Sequence, residues 1–355
     1  MKQLFSAFVF ILTCQLFAQD STRSGRVTIA AVGDVMLGGS MAATVRAKGA
    51  DYPFDRTRDI LTRADIAIGN LEAPFGAKGK AFKKRFTFMV PPKHAAALRN
   101  AGFDVMALAN NHIMDFGTEP LKTTLSLLDS LGIGHSGAGM DAAQARKPAM
   151  VERNGVKAAF LSYSRVHPTQ FWAGRKKPGT AAADPASLAA DVKQAKQQAK
   201  LVVVSFHWGA ELMDRPKEYQ VRLAHAAIDA GADLVLGHHP HVLQGLELYK
   251  GKLIAYSLGN FAFGSGSRRC TESVILLTEF RNDSLKSVAA VPLCVDNHRV
   301  NYQPAPVSGV EGRRILKHLN AISRPFGFNL GIADSMGWSE IGVKYLDKSL
   351  FYKIK

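Results

Sequence analysis

The chain has 355 residues, of which 47% are hydrophobic and 21% charged, with 31 Gly and 15 Pro. This composition is typical of a globular protein and excludes a low-complexity or collagen-like chain, and three cysteines exclude a fold built on a disulfide framework. Lys and Arg outnumber Asp and Glu by 45 to 29, which gives a net charge of +16. The charge favours anionic partners without choosing between nucleic acid, an acidic polymer, lipid head groups and cell wall.

The N-terminus carries a signal for export. It reads MKQLFSAFVFILTCQLFAQ, in which Lys2 precedes an apolar run over residues 4–17 and the small residue Ala18 follows. This order is typical of a secretory signal peptide, so we expect residues 1–18 to be removed by cleavage near Ala18. An uncleaved anchor and a lipoprotein attached through Cys14 are the alternatives. The sequence therefore predicts a protein that is secreted, periplasmic or bound to the cell envelope.

The first half of the chain alternates apolar runs with helical stretches. The runs RVTIAAVGD, ADIAIGN and FDVMALANN each stop at polar residues. Helices are predicted between and after them, over residues 41–48, 57–63, 93–101 and 118–131. A β-α-β-α-β order predicts parallel strands joined by crossovers. In open sheets of this kind, ligands bind beyond the carboxyl ends of the strands.

The second half contributes four more apolar runs, AAFLSYS, LVVVSFHWG, ADLVLGHHPH and LIAYSLGNF, which again end in polar residues. Helices are predicted over residues 186–198 and 217–230, followed by antiparallel strands and a helix over 312–322. We expect one mixed α/β domain over residues 26–295 and a less regular C-terminal extension over residues 296–355.

Two cysteines lie in a predicted β-hairpin. The runs CTESVILLTEF and LKSVAAVPLC flank the polar turn RNDS. A turn centred near Asn282 and Asp283 would set Cys270 opposite Cys294 within one residue. In an oxidising compartment this register predicts a cross-strand disulfide, and two buried free thiols are the alternative.

Six of the apolar runs end in side chains that can bind a metal ion or transfer a proton. These side chains are Asp34, Asn70, Glu72, Asn111, His112, His207, His238, His239, His241 and Asn260. A single His after a strand is usually a structural residue, but this number of donors at equivalent positions exceeds what chance would assemble. Imidazole with carboxylate and carboxamide oxygen suits Zn, Mn, Fe or Ni better than Ca, and there is no thiolate typical of structural zinc.

The blocks GDVMLG, NLEAP, LANNHIMDFG, HWGAE, GADLVLGHHPHVLQGLE and YSLGNF resemble, in this order, the signature blocks of the CapA family. That family comprises bacterial capsule or poly-γ-glutamate synthesis proteins and is in turn similar to the calcineurin-like metallophosphoesterases. The resemblance covers about residues 27–263. It implies a four-layer αββα sandwich of the metallophosphoesterase type, with two divalent transition metal ions (Mn, Zn or Fe) at the strand ends.

The resemblance assigns roles to individual positions. The implied metal ligands are Asp34, Glu72, Asn111, His207, His239 and His241, and the implied general acid is His112. Further metal-binding or supporting positions are Asn70, His238, Glu211 and Asn260. Met36 stands where the related pattern has a His, and Asn70 stands where it has an Asp. These two departures leave the number of metal ions and phosphoesterase activity open.

The function implied by the resemblance is that of an exported capsule or poly-γ-glutamate synthesis protein. It would be a metal-dependent hydrolase or transferase that acts on an anionic cell-surface polymer. The alternatives are a non-catalytic metal-binding factor for polymer assembly or export, and a general phosphoesterase.

The basic run KGKAFKKRF, residues 78–86, is interpreted either as a clamp for a polyanion or as a solvated loop, and RKKP, residues 175–178, as an exposed loop. No nucleic-acid-binding motif accompanies them, so we expect no nucleic acid as a partner. The partners that the resemblance implies are an anionic polymer and envelope biosynthesis proteins.

Overall fold

The computed structural model describes residues 24–333 and 336–340. The expected signal peptide over residues 1–18, and residues 341–355 of the predicted C-terminal extension, lie outside the described residues. Within the described part of the chain, no helix is long and apolar enough to cross a membrane.

Strands and helices alternate along most of the described chain. The strands are β1 Arg26–Met36, β2 Ile66–Leu71, β3 Val105–Ala107, β4 Gly134–Ser136, β5 Ala138–Gly139, β6 Ala149–Arg153, β7 Val156–Ser164, β8 Gly179–Thr180, β9 Leu201–His207, β10 Leu234–His238, β11 Leu243–Tyr249, β12 Lys252–Leu258, β13 Asn260–Phe263, β14 Glu272–Arg281, β15 Ser284–Cys294, β16 Ala305–Pro306, β17 Gly331–Ala333 and β18 Met336–Glu340. The helices are α1 Ala42–Lys48, α2 Arg58–Arg63, α3 Ala96–Asn100, α4 Thr118–Ser130, α5 Ala142–Ala145, α6 Pro185–Gln198, α7 Glu218–Ala230, α8 Asn297–Val300 and α9 Gly309–Ser323.

Two large sheets contain most of the strands. The first has the order β17-β18-β15-β14-β1-β2-β3-β4, with β13 also paired to β1 and β16 to β15. In it, β1, β2, β3 and β4 run parallel, as the alternation of runs and helices predicts. The second has the order β11-β12-β10-β9-β7-β6, in which β12, β10, β9 and β7 are parallel. Because the central strands of each sheet are parallel, their carboxyl ends share one edge.

The two sheets pack face to face, and helices cover their outer faces. The inner core includes Ile29 and Ile68 from the first sheet and Phe160 and Val203 from the second, all at most 2% exposed. Two further apolar cores lie on the outer faces of the sheets, beneath α1–α4 on one side and α6 and α7 on the other. These layers are α, β, β and α, which confirms the four-layer sandwich that the resemblance implies.

The helices form close to where their patterns place them. The expected segments 41–48, 57–63, 118–131, 186–198 and 217–230 correspond to α1, α2, α4, α6 and α7. Each turns an apolar stripe toward its sheet, and most of its charged residues are exposed or partly exposed. The segment expected over 93–101 is shorter, because Pro91 and Pro92 begin it as a tight 3-10 turn before α3.

Two glycines allow the backbone to approach closely just before the strands end. A Cβ atom on Gly33 would lie 1.9 Å from the carbonyl oxygen of Gly259, and one on Gly237 would lie 1.9 Å from that of Tyr256. Any side chain at either position would push neighbouring strands apart. The residues that follow them, Asp34 and His238, are therefore held where strands are most tightly packed.

Residues after 295 add to the same sandwich. Strands β16, β17 and β18 extend the first sheet on the side of β15. Ile315, Leu316 and Leu319 of α9 belong to the inner apolar core and are at most 1% exposed. The helix expected over 312–322 is the central part of α9.

The hairpin that contains the cysteines forms, but the expected disulfide does not. A bulge between Glu279 and Phe280 shifts the register of β14 and β15, so Cys294 lies opposite Glu272. Cys270 precedes β14 by two residues, and within residues 24–333 both thiols are free and buried. The predicted pairing was wrong because the turn alone does not set the register beyond a bulge.

Candidate metal centre

The polar residues at the strand ends converge at one edge of the sandwich. Asp34 lies near the end of β1, His207 and His238 are the last residues of β9 and β10, and Glu72 directly follows β2. All four are at most 1% exposed. The sequence therefore brings titratable side chains from both sheets into one buried cluster.

Asn70 holds the two buried carboxylates. Its Nδ2 donates to Oδ1 of Asp34 at 2.8 Å and to Oε2 of Glu72 at 3.3 Å. Its Oδ1 accepts a hydrogen bond from Nδ2 of Asn110 at 3.1 Å. A carboxamide is suited to this position because its NH2 group donates to two acids, whereas a third carboxylate would repel them.

Three groups of donor atoms in the cluster have the composition and spacing of metal sites. The groups are Glu72, His207 and His239; Asp34, Glu72 and His241; and Glu211, His239 and His241. Within each group the ligand atoms lie within 4.8 Å of one another. Glu72, His239 and His241 each belong to two of the three groups.

His239 and His241 reach the cluster from a strained loop after β10. Their φ angles are +94° and +59°, in the left-handed region that residues other than glycine rarely adopt. Each such residue costs about 1–3 kcal/mol and is held there by the surrounding fold. The strain directs both imidazoles toward the carboxylates, and Nδ1 of His241 lies 3.1 Å from Oδ2 of Asp34.

Two of the imidazoles are electrically suited to bind a cation. Burial, followed by the proximity of His241, lowers the pKa of His239 to about 3. Burial and the neighbouring His239 likewise lower the pKa of His207 well below its ordinary range. Both rings are therefore neutral at pH 7 and present an unprotonated nitrogen, which is the form that coordinates metals.

His241 shows the opposite behaviour. Burial acts to lower its pKa, but the carboxylates of Glu72 and Asp34 outweigh burial and raise the pKa to about 10. Burial alone would raise the pKa of Asp34, yet the imidazoles of His238 and His241 hold it well below its usual value. Burial and the charge of Asp34 raise the pKa of Glu72. His241 therefore retains a proton beside Asp34, at a position where a bound divalent cation would balance the carboxylate charge instead.

Several buried polar atoms of the cluster lack hydrogen-bond partners among the described residues. They include Oε1 of Glu72, Nδ1 of His239 and both ring nitrogens of His238. A buried polar atom without a partner costs about 1–3 kcal/mol. A metal ion bound by these lone pairs would remove that cost, so the residues present fit the divalent transition metals that the donor set suggests.

The remaining predicted residues border this cluster. Oδ1 of Asn111 lies 2.8 Å from Nε2 of His207, and Oδ1 of Asn260 lies 2.9 Å from Nδ1 of His241. His238 lies 3.4 Å from Oδ1 of Asp34. Glu211 is exposed and approaches from the loop after β9. The structure therefore brings together all the positions that the resemblance implies.

His112 stands beside the cluster in a small network that the sequence reasoning missed in part. Its Nδ1 lies 2.7 Å from Oδ2 of Asp115, a residue with no exposed surface. Lys84 forms an ion pair with the other oxygen of Asp115 at 2.5 Å and also contacts the backbone oxygen of Asn111. The position of Asp115, three residues after His112, could have indicated this contact. Lys84 lies within the basic run 78–86.

Met36 is a core residue. It has no exposed surface and packs in the outer core of the first sheet, and its Sδ accepts a hydrogen bond from the backbone of Gly38 at 3.1 Å. The side chain that replaces the expected His is therefore committed to packing.

The comparison with protein families agrees with these blocks. The sequence model described as bacterial capsule synthesis protein PGA_cap matches residues 28–265, about two thirds of the chain. This chain belongs to the bacterial capsule synthesis protein family. The match spans every predicted ligand from Asp34 to Asn260 and confirms the family that the sequence blocks indicate.

Curated relatives of this capsule synthesis family member are similar over most of their length. The PGA biosynthesis protein CapA of Bacillus subtilis is 33% identical over 291 residues, which cover 81% of this chain and 76% of the relative. The capsule biosynthesis protein CapA of Bacillus anthracis is 32% identical over 303 residues, 83% of this chain and 73% of the relative. Among solved structures, the NAD nucleotidase of Haemophilus influenzae aligns over 83% of this chain and 62% of its own, with 14% identity and a TM-score of 0.45.

Proposed function

We propose that this capsule synthesis family member is an exported, metal-dependent hydrolase or transferase that acts on an anionic cell-surface polymer, poly-γ-glutamate or a capsule-like chain. The observation that carries the proposal is the pair of donor groups that share Glu72. Unpartnered buried atoms on Glu72 and His239 support it, because both are ready to coordinate a cation.

Two ions of Mn, Zn or Fe would be held in these groups. Asp34, Glu72 and His241 would hold one, and Glu72, His207 and His239 the other, with Asn111 beside His207. When bound, the ions would supply Lewis-acid polarisation of an anionic oxygen of the substrate. Asn70 keeps the two carboxylates in place through its amide hydrogens.

His112 moves the proton. Since its Nδ1 is engaged with Asp115, Nε2 is the nitrogen left for a ligand. Burial lowers the pKa of His112, and the contact with Asp115 opposes that effect. To protonate the leaving oxygen or nitrogen from Nε2, the ring would carry protons on both nitrogens, and the carboxylate of Asp115 at Nδ1 would stabilise that imidazolium form.

A second candidate is a non-catalytic assembly factor that binds metal and polymer. The names of the two Bacillus relatives describe biosynthesis, which favours a role in building a polymer. Met36 supports the same candidate, because the position offers a thioether committed to the core where a nitrogen donor is expected.

Metal content per chain tests both candidates. We expect about two transition metal equivalents in the full chain, and their loss in His239→Ala/His241→Ala. The matched control, His135→Ala/His298→Ala, removes two imidazoles outside the cluster and should keep the metal. One equivalent would mean that Met36 has removed one site, and none under replete conditions would overturn the catalytic proposal.

Turnover separates enzyme from assembly factor. With metal bound, poly-γ-glutamate and a chromogenic phosphoester are offered to the full chain and to His112→Ala. An enzyme loses turnover in His112→Ala while its metal content is unchanged. A chain that binds metal and polymer but cleaves or transfers neither substrate would be the assembly factor.

A further inference from the structure

Two loops beside the metal centre are basic and free of acids. The sequence contains no Asp or Glu over residues 73–103 or over residues 165–183. The first loop, residues 77–89, comes soon after Glu72, and the second, residues 165–178, directly follows β7. Each loop carries four exposed cationic side chains, among them Lys83 and Arg85 in the first and Lys176 and Lys177 in the second. We call the two loops together the basic rim.

Aromatic contacts join the two loops of the basic rim into one surface. The rings of Phe82 and Phe171 meet edge to face, with centroids 4.9 Å apart. The ammonium group of Lys84 lies 5.3 Å from the centre of the Phe171 ring. Phe171 is 4% exposed, so the second loop is anchored by a buried aromatic side chain.

Asp115 fixes the first loop against the metal centre. Its backbone oxygen accepts from the N–H of Phe82 at 2.8 Å, and Oδ2 accepts from that of Phe88 at 2.7 Å. Its other carboxylate oxygen pairs with Lys84. Asp115 also contacts His112, so Lys84 lies beside the proposed reaction site. In the sequence, the cations Lys83 and Arg85 flank Lys84. The 77–89 loop therefore has a defined position although it forms no strand or helix.

The second loop starts at the same edge of the sandwich. Ser164, the last residue of β7, pairs in register with His207. The N–H of Arg165 donates to the backbone oxygen of His207 at 2.9 Å. The exposed side chain of Arg165 thus leaves the backbone directly beside a predicted metal ligand.

We propose that the basic rim binds an extended stretch of a polycarboxylate chain and presents it to the metal centre. A single surface ion pair contributes little free energy, so a ligand with one carboxylate gains almost no affinity from these cations. A chain with repeated carboxylates engages many of them at once, and the absence of acids from both loops leaves that attraction unopposed. The choice of a polycarboxylate rests on the proposed function, but binding to the rim does not require turnover.

Polymer binding tests the proposal. Fluorescent poly-L-glutamate of about 50 residues is titrated into the full chain and followed by anisotropy, with triglutamate as the short competitor. The rim variant is Lys83→Ala/Arg85→Ala/Lys176→Ala/Lys177→Ala. The matched control, Lys157→Ala/Lys193→Ala/Lys200→Ala/Arg281→Ala, removes the same charge from exposed positions on α6 and at the opposite ends of the strands.

We expect the rim variant to bind the polymer roughly tenfold more weakly than wild type, and the control to differ by about twofold at most. Triglutamate should not compete, and raising the salt from about 50 to about 300 mM should weaken wild-type binding more than that of the rim variant. Equal binding by the rim variant and the control would overturn the proposal.

Two further measurements identify the class of ligand and separate polymer binding from catalysis. If polyphosphate or single-stranded DNA displaces the polymer at a lower charge concentration than poly-L-glutamate does, the assignment to a polycarboxylate is wrong. The variant His239→Ala/His241→Ala should keep polymer binding although it loses metal. Binding without turnover in wild type would count against the hydrolase alone, whereas turnover without rim-dependent binding would count against the rim alone.

Discussion

Acidic side chains lie at both ends of the parallel strands, and their surroundings differ. At the amino-terminal ends, Asp65, Asp104 and Asp233 directly precede β2, β3 and β10. Each carboxylate accepts a hydrogen bond from a backbone N–H of a neighbouring strand, at 2.8–2.9 Å, and from at least one side chain. At the carboxyl-terminal ends, Asp34 and Glu72 face imidazoles and each other.

The two sets of acids differ in how completely their buried charges are paired. Asp233 is 1% exposed and accepts from Lys196, Lys252 and the N–H of Val202, so its buried charge is fully paired. Glu72 has no exposed surface, and one of its oxygens has no hydrogen-bond partner among the described residues. The acids at the amino-terminal ends stabilise the sandwich. Those at the carboxyl-terminal ends retain lone pairs that a bound cation would use.

The largest effect on stability is expected at the paired end. Asp233→Ala should lower the free energy of unfolding by about 3 kcal/mol, because it leaves a buried N–H and two lysines without their acceptor. Urea denaturation measures the loss. Asp283→Ala is the control, since that carboxylate is half exposed and 3.8 Å from Lys196, and it should cost below about 0.5 kcal/mol. Equal losses in both variants would contradict the comparison.

Metal addition should act at the other end only. At a free Zn or Mn concentration of about 100 times Kd, the free energy of unfolding should rise by about 2.7 kcal/mol. Asp233→Ala should show the same gain from its lower baseline, and His239→Ala/His241→Ala should show none. Stabilisation of the double His variant would mean that the metal binds outside the cluster.

Asn70→Asp sharpens the contrast from within the cluster. In metal-free protein it replaces two donated hydrogen bonds with repulsion between carboxylates, so we expect a loss of about 2 kcal/mol in the free energy of unfolding. Adding metal should restore more stability to this variant than to wild type, because a third acid favours the cation. Denaturation with and without metal checks both statements; a variant as stable as wild type without metal would remove Asn70 from its assigned role.

The smallest effect is expected for a partly exposed pair, Glu272 and His318, that belongs to neither set. The contacts with His318 and Arg314 lower the pKa of Glu272 from its ordinary 4.5, and Glu272 raises the pKa of His318 from its ordinary 6.5. The Glu272 contribution is present above pH 4.5 and is lost as the pH falls through its lowered pKa. The His318 contribution is present below pH 6.5 and is lost as the pH rises through its raised pKa.

Their combined stabilisation is therefore complete between pH 4.5 and 6.5. His318→Gln should remove the decline above pH 6.5, with an effect below about 1 kcal/mol because the His318 side chain is 42% exposed. Thermal unfolding across this range measures it. An unchanged slope in His318→Gln would assign the pH dependence to other groups.

Much of this fold follows from local pattern. Apolar runs that stop at Asp34, Asn70, His207 and His238 form strands that end within a residue or two of those positions, since a polar residue ends a buried strand at the sheet edge. Parallel pairing then brings the strand ends together, so the composition of the site was predictable as well.

Other features depend on long-range contacts. The roles of Asp115 and Lys84 arise because a loop without regular structure returns to His112, and no local pattern records that contact. The disulfide prediction failed at the bulge beside Glu279, where the hairpin changes register. The strained backbone of His239 and His241 is likewise held by tertiary packing.

The sequence by itself determined which chemical groups stand at the strand ends, because strand period and chain order place them there. Only the tertiary structure decided which of them meet, which remain unpaired and which loops border them. The physical reason is range: a strand or helix is set by neighbouring residues, whereas hydrogen bonding, burial and pKa depend on atoms brought together from distant parts of the chain.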